Sequence, residues 1–185
     1  MELQITQEEK SRSYSFAQQI IKGNNQFNRF NKSEEIQVNR TYVGKLAEYV
    51  FLHYLQSKAV LQDEGDMFKV YLGAENADHH DFLMPNGKSI DIKAAWQTFH
   101  SRIMIPISQL HLEKDYYVGI KLNFPQANLF NHQNIQTCNI HGYATRETMQ
   151  NQPTENFGEG DCKAYLLRNL TDINKLVEMF LEKSK

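Results

Sequence analysis

Apolar residues recur at helical spacing in three segments of the chain and so predict three amphipathic helices. The first spans about Gln7 to Lys22, with Thr6 as its N-cap, and the second spans about Arg40 to Gln56. The third follows Thr171 or Asp172, since either residue suits an N-cap. The apolar faces of the second and third helices are Val43, Leu46, Ala47, Val50, Phe51, Tyr54 and Leu55, and Ile173, Leu176, Val177, Met179, Phe180 and Leu181.

Short apolar or alternating runs between the second and third helices predict β-strands. Asp115–Phe124 is almost wholly apolar or aromatic and is therefore expected at the centre of a sheet. Residues 74–80 and 151–160 are rich in polar residues or glycine and predict loops, and the asparagine-rich residues 24–39 predict a loop or a short irregular helix. Further strands are expected over Met67–Leu72, Arg102–Pro106, Asn134–Ala144 and Cys162–Leu167, a short turn or helix over Ile107–Leu112, and a short helix over Arg146–Gln150. This order predicts an α/β (α+β) fold with a central mixed β-sheet flanked by helices.

The segment from Asp81 to Lys93 predicts a β-hairpin around Pro85-Asn86-Gly87. A two-residue Asn-Gly turn would pair Pro85 with Lys88, but proline has no N–H for that closing pair. A three-residue loop instead places Pro85 and Asn86 in a type I turn and Gly87 in the left-handed region. We favour the second register, which pairs Met84 with Lys88 and Phe82 with Ile90.

The same register places the side chains of Asp81 and Asp91 opposite each other. Facing carboxylates lie about 5 Å apart across a ladder and repel each other, so a cation is expected between them. A hard divalent ion such as Mg²⁺ suits that position, with Lys93 alongside. Ile90, Ile92 and Phe82 then point to the opposite face.

Glu48 lies at the margin of the apolar face of the second helix. A solvated residue would lie opposite that face, where Lys45 falls. Gly44 in the helix interior suggests close approach of another backbone. From the helix alone, a marginal glutamate that reaches water is the more common interpretation.

Composition is typical of a globular protein, with 185 residues, 41% hydrophobic and 23% charged, and a length expected to form one domain. No apolar run is long enough for a membrane span, and residues 1–5 lack the features of a signal peptide. Cys138 and Cys162 are too few for a disulfide framework, so reduced thiols and a cytoplasmic location are expected. The net charge of −2 excludes a global basic surface for DNA but not a local groove.

In order, the chain holds a helix with Glu48, a strand beginning with Asp81, a tight turn, and a strand with Asp91-Ile92-Lys93. This resembles the PD-(D/E)XK nuclease superfamily, with a restriction-endonuclease-like fold. The match covers residues 40–125, and the C-terminal strands and helix, residues 134–185, would complete a single domain. The strand-to-helix step Gly142-Tyr143-Ala144-Thr145-Arg146-Glu147 is also similar to nucleases of that group.

The resemblance implies a role for each site residue. Asp81 and Asp91 would ligate Mg²⁺, or Mn²⁺ as a substitute, and the Ile92 carbonyl would be a further ligand. Glu48 would complete the metal shell directly or through water, and Lys93 would orient the attacking water and stabilise charge on the phosphorane. The implied function is that of a Mg²⁺-dependent endodeoxyribonuclease, of restriction, phage or repair type, acting on double-stranded DNA.

Two positions depart from the family pattern or compete with it. His80, and not proline, precedes Asp81, and Asp78 competes with Asp81 as the first metal ligand. Asp81 is preferred because Asp78 would lie off the hairpin. The alternative function is a catalytically silent nucleic-acid-binding or assembly module of the same fold. A homodimer would suit a nuclease, since two single-cut subunits can act on a twofold duplex.

Overall fold

Two long helices precede most of the strands and one helix follows them in the computed structural model, which describes residues 1–23, 33–70, 80–112, 114–125 and 130–182. Two 3₁₀ turns, at Ile107–Leu112 and Leu167–Asn169, connect longer elements within that part of the chain. In chain order the helices and strands are β1 (Glu2–Gln4), α1 (Gln7–Lys22), α2 (Glu34–Ser57), β2 (Phe82–Leu83), β3 (Ser89–Ala95), β4 (Arg102–Pro106), β5 (Tyr116–Asn123), β6 (Thr137–Thr145), α3 (Arg146–Gln150), β7 (Thr154–Asn156), β8 (Asp161–Leu166) and α4 (Ile173–Glu182).

The described residues form a five-stranded mixed sheet in the order β1-β6-β5-β3-β2. β3 and β5 run parallel, and the other neighbouring pairs are antiparallel. β5 lies in the middle, which confirms the prediction that the apolar segment Asp115–Phe124 is central. Helices α1, α2 and α4 contribute to one core with the Ile90 and Ile92 side of the sheet. The predicted mixed sheet flanked by helices is therefore confirmed.

The described residues also form a second sheet, with the strand order β4-β8-β7. The sequence pattern predicted a single sheet and did not distinguish these strands from the others. Ile103 and Ile105 of β4 pack with Tyr117 of β5 in a smaller core on the other face of the main sheet. Gly119 permits this approach, because a Cβ at that position would lie only 2.6 Å from the Leu170 side chain. Lys93 pairs with Gly119 in the parallel ladder, so the second sheet lies on the same face as Lys93.

Helix α1 begins as predicted, with a capping box in which Thr6 and Glu9 satisfy each other's backbone N–H groups. Helix α2 begins at Glu34, six residues before the predicted start at Arg40, because Ser33 caps it and acidic residues fill its first turn. Of the two alternatives predicted for residues 24–39, the loop is therefore wrong from Glu34 onward, where the chain is the regular first part of α2. No helix in the described ranges is long and apolar enough to cross a membrane.

Two other local predictions differ from the structure. The strand predicted over Met67–Leu72 is absent from residues 67–70, where Met67 and Lys69 donate backbone hydrogen bonds to Glu64 and Asp66 in turns. The predicted loop over residues 151–160 contains strand β7, and strand β1 was not predicted. The predicted loop 74–80 lies outside the described residues except for His80.

Candidate active site at the edge of strand β3

The hairpin has the predicted three-residue loop. Gly87 adopts a φ of +76°, a left-handed value that favours glycine, and its N–H donates to the Met84 carbonyl at 2.8 Å. The Met84 N–H in turn donates to the Lys88 carbonyl at 2.8 Å, and Phe82 pairs with Ile90. The register predicted from the turn residues is confirmed.

Asp81 lies just before β2 and contacts the free edge of β3. Its N–H donates to the Ile90 carbonyl at 3.1 Å, and its Oδ2 accepts from the Ile92 N–H at 2.5 Å. Because the N–H and C=O of one strand residue point to the same edge, the Ile92 carbonyl also faces the Asp81 side. The carboxylate of Asp81 and this carbonyl, both expected as metal ligands, therefore share one edge of the sheet.

The charges around Asp81 are poorly balanced by hydrogen bonds. Burial raises its pKa well above the ordinary value, and the nearby carboxylates of Glu48 and Asp91 raise it further. The Ile92 N–H and the Lys93 ammonium oppose the shift but do not cancel it. The structure thus brings the side chains of Glu48, Asp81, Asp91 and Lys93 within electrostatic reach of one another.

Asp91 and Lys93 form an ion pair, with 2.5 Å between Oδ2 and Nζ. Asp91 Oδ2 is fully buried, yet it receives no hydrogen bond from the described residues. The Lys93 contact is therefore ionic, without the direction of a hydrogen bond. A buried carboxylate oxygen with this partner alone retains lone pairs for a further ligand.

Glu48 reaches the site from α2, and its side chain is 16% exposed. It does not extend into water, because Lys45 Nζ contacts its Oε2 at 2.5 Å and also donates to the Met67 carbonyl at 2.9 Å. The prediction that Lys45 lies on the solvated side is wrong, since its side chain is only 11% exposed. Lys45 instead bends over the Phe16 ring, 4.9 Å from its centroid, and is drawn toward Glu48 by charge.

Lys114 is a fifth residue near this cluster and was missed by sequence reasoning. It precedes β5, is 7% exposed, and interacts electrostatically with the carboxylates of Asp91 and Asp81. Burial nevertheless lowers its pKa. In the sequence, Lys114 is recognisable only as a single lysine directly before the predicted central strand. A single lysine forms no motif that predicts a functional site.

Asp115, the next residue, links the start of β5 to the start of β3 through hydrogen bonds. Its carboxylate accepts from Lys88 Nζ at 2.8 Å, from the Ser89 N–H at 2.9 Å and from Ser89 Oγ at 3.0 Å. Burial alone would raise its pKa, but these hydrogen bonds lower the pKa of Asp115 to about 2. Asp115 fixes the relative positions of Lys114 and the strand that carries Asp91.

The donor set suits a hard divalent cation in its chemistry. Three carboxylates lie within electrostatic reach of one another, the Ile92 carbonyl faces the same edge as Asp81, and Asp91 Oδ2 is buried without a hydrogen bond from the described residues. Across the described ranges, however, no group of three or more His, Cys, Asp or Glu side chains is arranged to hold a metal ion. The ammonium groups of Lys45 and Lys93 instead contact Glu48 and Asp91.

Asp78, the competing first ligand, lies outside the described residues, so the choice between it and Asp81 stays a prediction. His80 precedes Asp81 and is partly buried. Comparisons of the chain with family models, with curated proteins and with solved structures find no match.

Proposed function

We propose that this protein is a Mg²⁺-dependent endodeoxyribonuclease of the restriction-endonuclease-like type that hydrolyses phosphodiester bonds of double-stranded DNA. The observation that carries the proposal is that Glu48, Asp81 and Asp91 lie within electrostatic reach of one another beside Lys93, where burial and the other two carboxylates raise the pKa of Asp81. A fold that only needed stability would not bring three half-buried acids together. Such repulsion is typical of a site that binds a cation.

The proposed roles follow from side-chain chemistry. Asp81, Asp91 and the Ile92 carbonyl would hold Mg²⁺, or Mn²⁺ in its place, and Glu48 would bind it directly or through water. Bound there, the ion supplies a nucleophile near neutral pH and offsets charge on the departing oxygen. Lys93, a compact point charge paired with Asp91, would orient the attacking water and stabilise the negative phosphorane.

The test is cleavage of supercoiled plasmid by purified protein. We expect nicked and linear products with Mg²⁺ or Mn²⁺ and none with EDTA. Asp91→Ala should lower the rate by about 10²- to 10³-fold, the scale of losing one main electrostatic element of a site. Asp66→Asn, which alters an exposed carboxylate paired with Lys69, is the matched control and should cleave normally.

Retained cleavage by Asp91→Ala protein, purified in the same way, would overturn this assignment and point to a contaminating nuclease. Cleavage that persists in EDTA would exclude the metal-dependent mechanism.

A second function, a nucleic-acid-binding module without catalysis, is favoured by one observation. Lys45 and Lys93 contact the carboxylates of Glu48 and Asp91, so these acids have protein cations as partners. If that arrangement is permanent, the protein would bind DNA with equal affinity in Mg²⁺ and EDTA. It would also leave linear, supercoiled, branched and single-stranded DNA intact.

A further inference from the structure

Lys114 is tied to the Asp91 side of the main sheet by its own backbone. Its N–H donates to the Tyr117 hydroxyl at 3.0 Å, and its carbonyl accepts from Arg146 Nε at 3.2 Å. Tyr117 pairs with Asp91 in the parallel ladder, so their side chains lie on one face. Lys114 therefore stands next to the proposed site on a fixed backbone.

The neighbouring residue strengthens this placement. The Asp115 N–H donates to Ser89 Oγ at 3.0 Å, and its C=O accepts from the Arg146 N–H at 3.0 Å. The short segment before β5 is thus hydrogen-bonded both to β3 and to the start of α3. Such a segment has little freedom to swing Lys114 out to solvent.

The ammonium of Lys114 has no hydrogen bond or ion pair with any residue in the described ranges, although the residue is 7% exposed. Buried lysines are almost always paired, so this one lacks a partner that its chemistry requires. The fully enclosed side-chain atoms that lack hydrogen bonds are Ser13 Oγ and Asp91 Oδ2, among the described residues. Lys114 Nζ is not one of them, so it keeps a narrow contact with solvent.

The other two lysines of the cluster are engaged. Lys45 contacts Glu48, and Lys93 contacts Asp91. Lys114, in contrast, interacts with Asp91 and Asp81 electrostatically, without an ion-pair contact. A bound phosphodiester would add negative charge beside this group. Lysine binds phosphate as a point charge, so an unpaired ammonium on a buried residue beside an acidic cluster is suited to that ligand.

We propose that Lys114 is a second phosphate-contacting lysine of the site, whose ammonium binds a non-bridging oxygen of the DNA phosphate held beside Asp91. The inference rests on the proposed function in that it takes DNA as the ligand. It holds for cleavage and for binding without cleavage, because both require a phosphate at this position.

Lys114→Met tests the inference, since methionine keeps the apolar stem and removes the charge. Affinity for a fluorescent DNA duplex, with Ca²⁺ in place of Mg²⁺, is measured by anisotropy over a series of salt concentrations. Losing one phosphate contact should reduce the slope of log affinity against log salt by about 0.9. Where wild-type protein cleaves, the rate with Mg²⁺ should also fall on the order of 100-fold.

Lys175→Met is the matched control, because Lys175 is exposed on α4 and its loss changes net charge equally. It should leave both the salt slope and the cleavage rate unchanged. Lys114→Arg should restore most of the salt slope, and Lys114→Gln replaces the methionine variant if that variant does not fold. Unfolding midpoints of all variants exclude a general loss of structure.

The outcomes separate the two proposals. An unchanged salt slope and cleavage rate in Lys114→Met protein, beside active wild type, would overturn this inference alone. A reduced slope in protein that binds but never cleaves would support Lys114 and exclude the nuclease. Wild-type protein that neither binds nor cleaves DNA would overturn both.

Discussion

Asp115 and Asp81 both hold strand β3, one at its start and one at its middle, and their carboxylates lie in opposite electrostatic environments. Asp115 accepts three hydrogen bonds, from Lys88 and from the backbone and hydroxyl of Ser89. Asp81 accepts one, from the Ile92 N–H, and is repelled by Glu48 and Asp91. The pKa of Asp115 is lowered to about 2, whereas that of Asp81 is raised well above the ordinary value.

This difference distinguishes a carboxylate that stabilises the fold from one that destabilises it. The charge of Asp115 is favourable in the folded state because its donors are already in place. The charge of Asp81 is unfavourable in the folded state unless a cation binds beside it. Without a cation, the ionised Asp81 carboxylate therefore lowers the free energy of unfolding. Carboxylates of the second kind mark the more promising place to look for chemistry.

The largest effect on stability is expected from Asp115→Asn. The lowered pKa corresponds to about 2 kcal/mol of the free energy of unfolding at pH 7. Because the folded pKa lies below the unfolded one, this contribution is present above about pH 4 and is lost as the pH falls toward 2. Urea unfolding at pH 7 and pH 3 should show the difference from wild type falling by about half.

Asp66→Asn provides the comparison for that measurement, since the Asp66–Lys69 pair is largely exposed and should contribute at most about 1 kcal/mol. Equal losses for the two substitutions would contradict the distinction drawn for Asp115. A loss for Asp115→Asn that did not depend on pH would instead assign its role to packing.

The turn chemistry explains why the hairpin was predictable. Pro85 cannot close a two-residue loop and Gly87 accepts the left-handed conformation, so three consecutive residues determine the register that brings Asp81 beside β3. Helix α1 was equally local, since Thr6 and Glu9 form its capping box within four residues. Features determined by neighbours in sequence can be recognised from sequence.

Features that depend on distant partners could not. Strand β1 exists because it pairs with Thr137–Asn139 across the chain, and its three residues are too few for their polar–apolar alternation to identify a strand. Met67 and Phe68 look like a strand, but Phe68 packs edge-on against Phe16 and Tyr49 and the backbone forms turns. Lys114 enters the site because β5 runs parallel to β3, which no local signal specifies.

Metal binding should give a smaller change in stability than the loss of Asp115. Mg²⁺ at ten times its dissociation constant would raise the free energy of unfolding by about 1.4 kcal/mol. For a chain of 185 residues this corresponds to a rise in Tm of roughly 3–6 °C, measurable by differential scanning fluorimetry at constant ionic strength. The rise should vanish in Asp91→Asn protein and persist in Asp66→Asn protein.

A rise of equal size in the Asp91→Asn variant would show that Mg²⁺ acts elsewhere on the surface. No rise at millimolar Mg²⁺ in wild-type protein would favour the module without catalysis. Either result would leave the acidic cluster as a network of carboxylates and lysines.

The smallest expected effect is a gain in stability from Asp81→Asn, measured in EDTA. The amide oxygen still accepts the Ile92 N–H, while the charge that repels Glu48 and Asp91 is removed. Because the folded pKa of Asp81 lies above the unfolded value, wild-type stability falls as the pH rises through the folded pKa. The variant should therefore match wild type near pH 4 and exceed it by about 1 kcal/mol at pH 8, the scale of a cross-strand charge pair. If the Asp81→Asn variant is instead less stable than wild type at pH 8, Asp81 is, like Asp115, a carboxylate that the fold requires. That result would remove the main argument for a cation between Asp81 and Asp91.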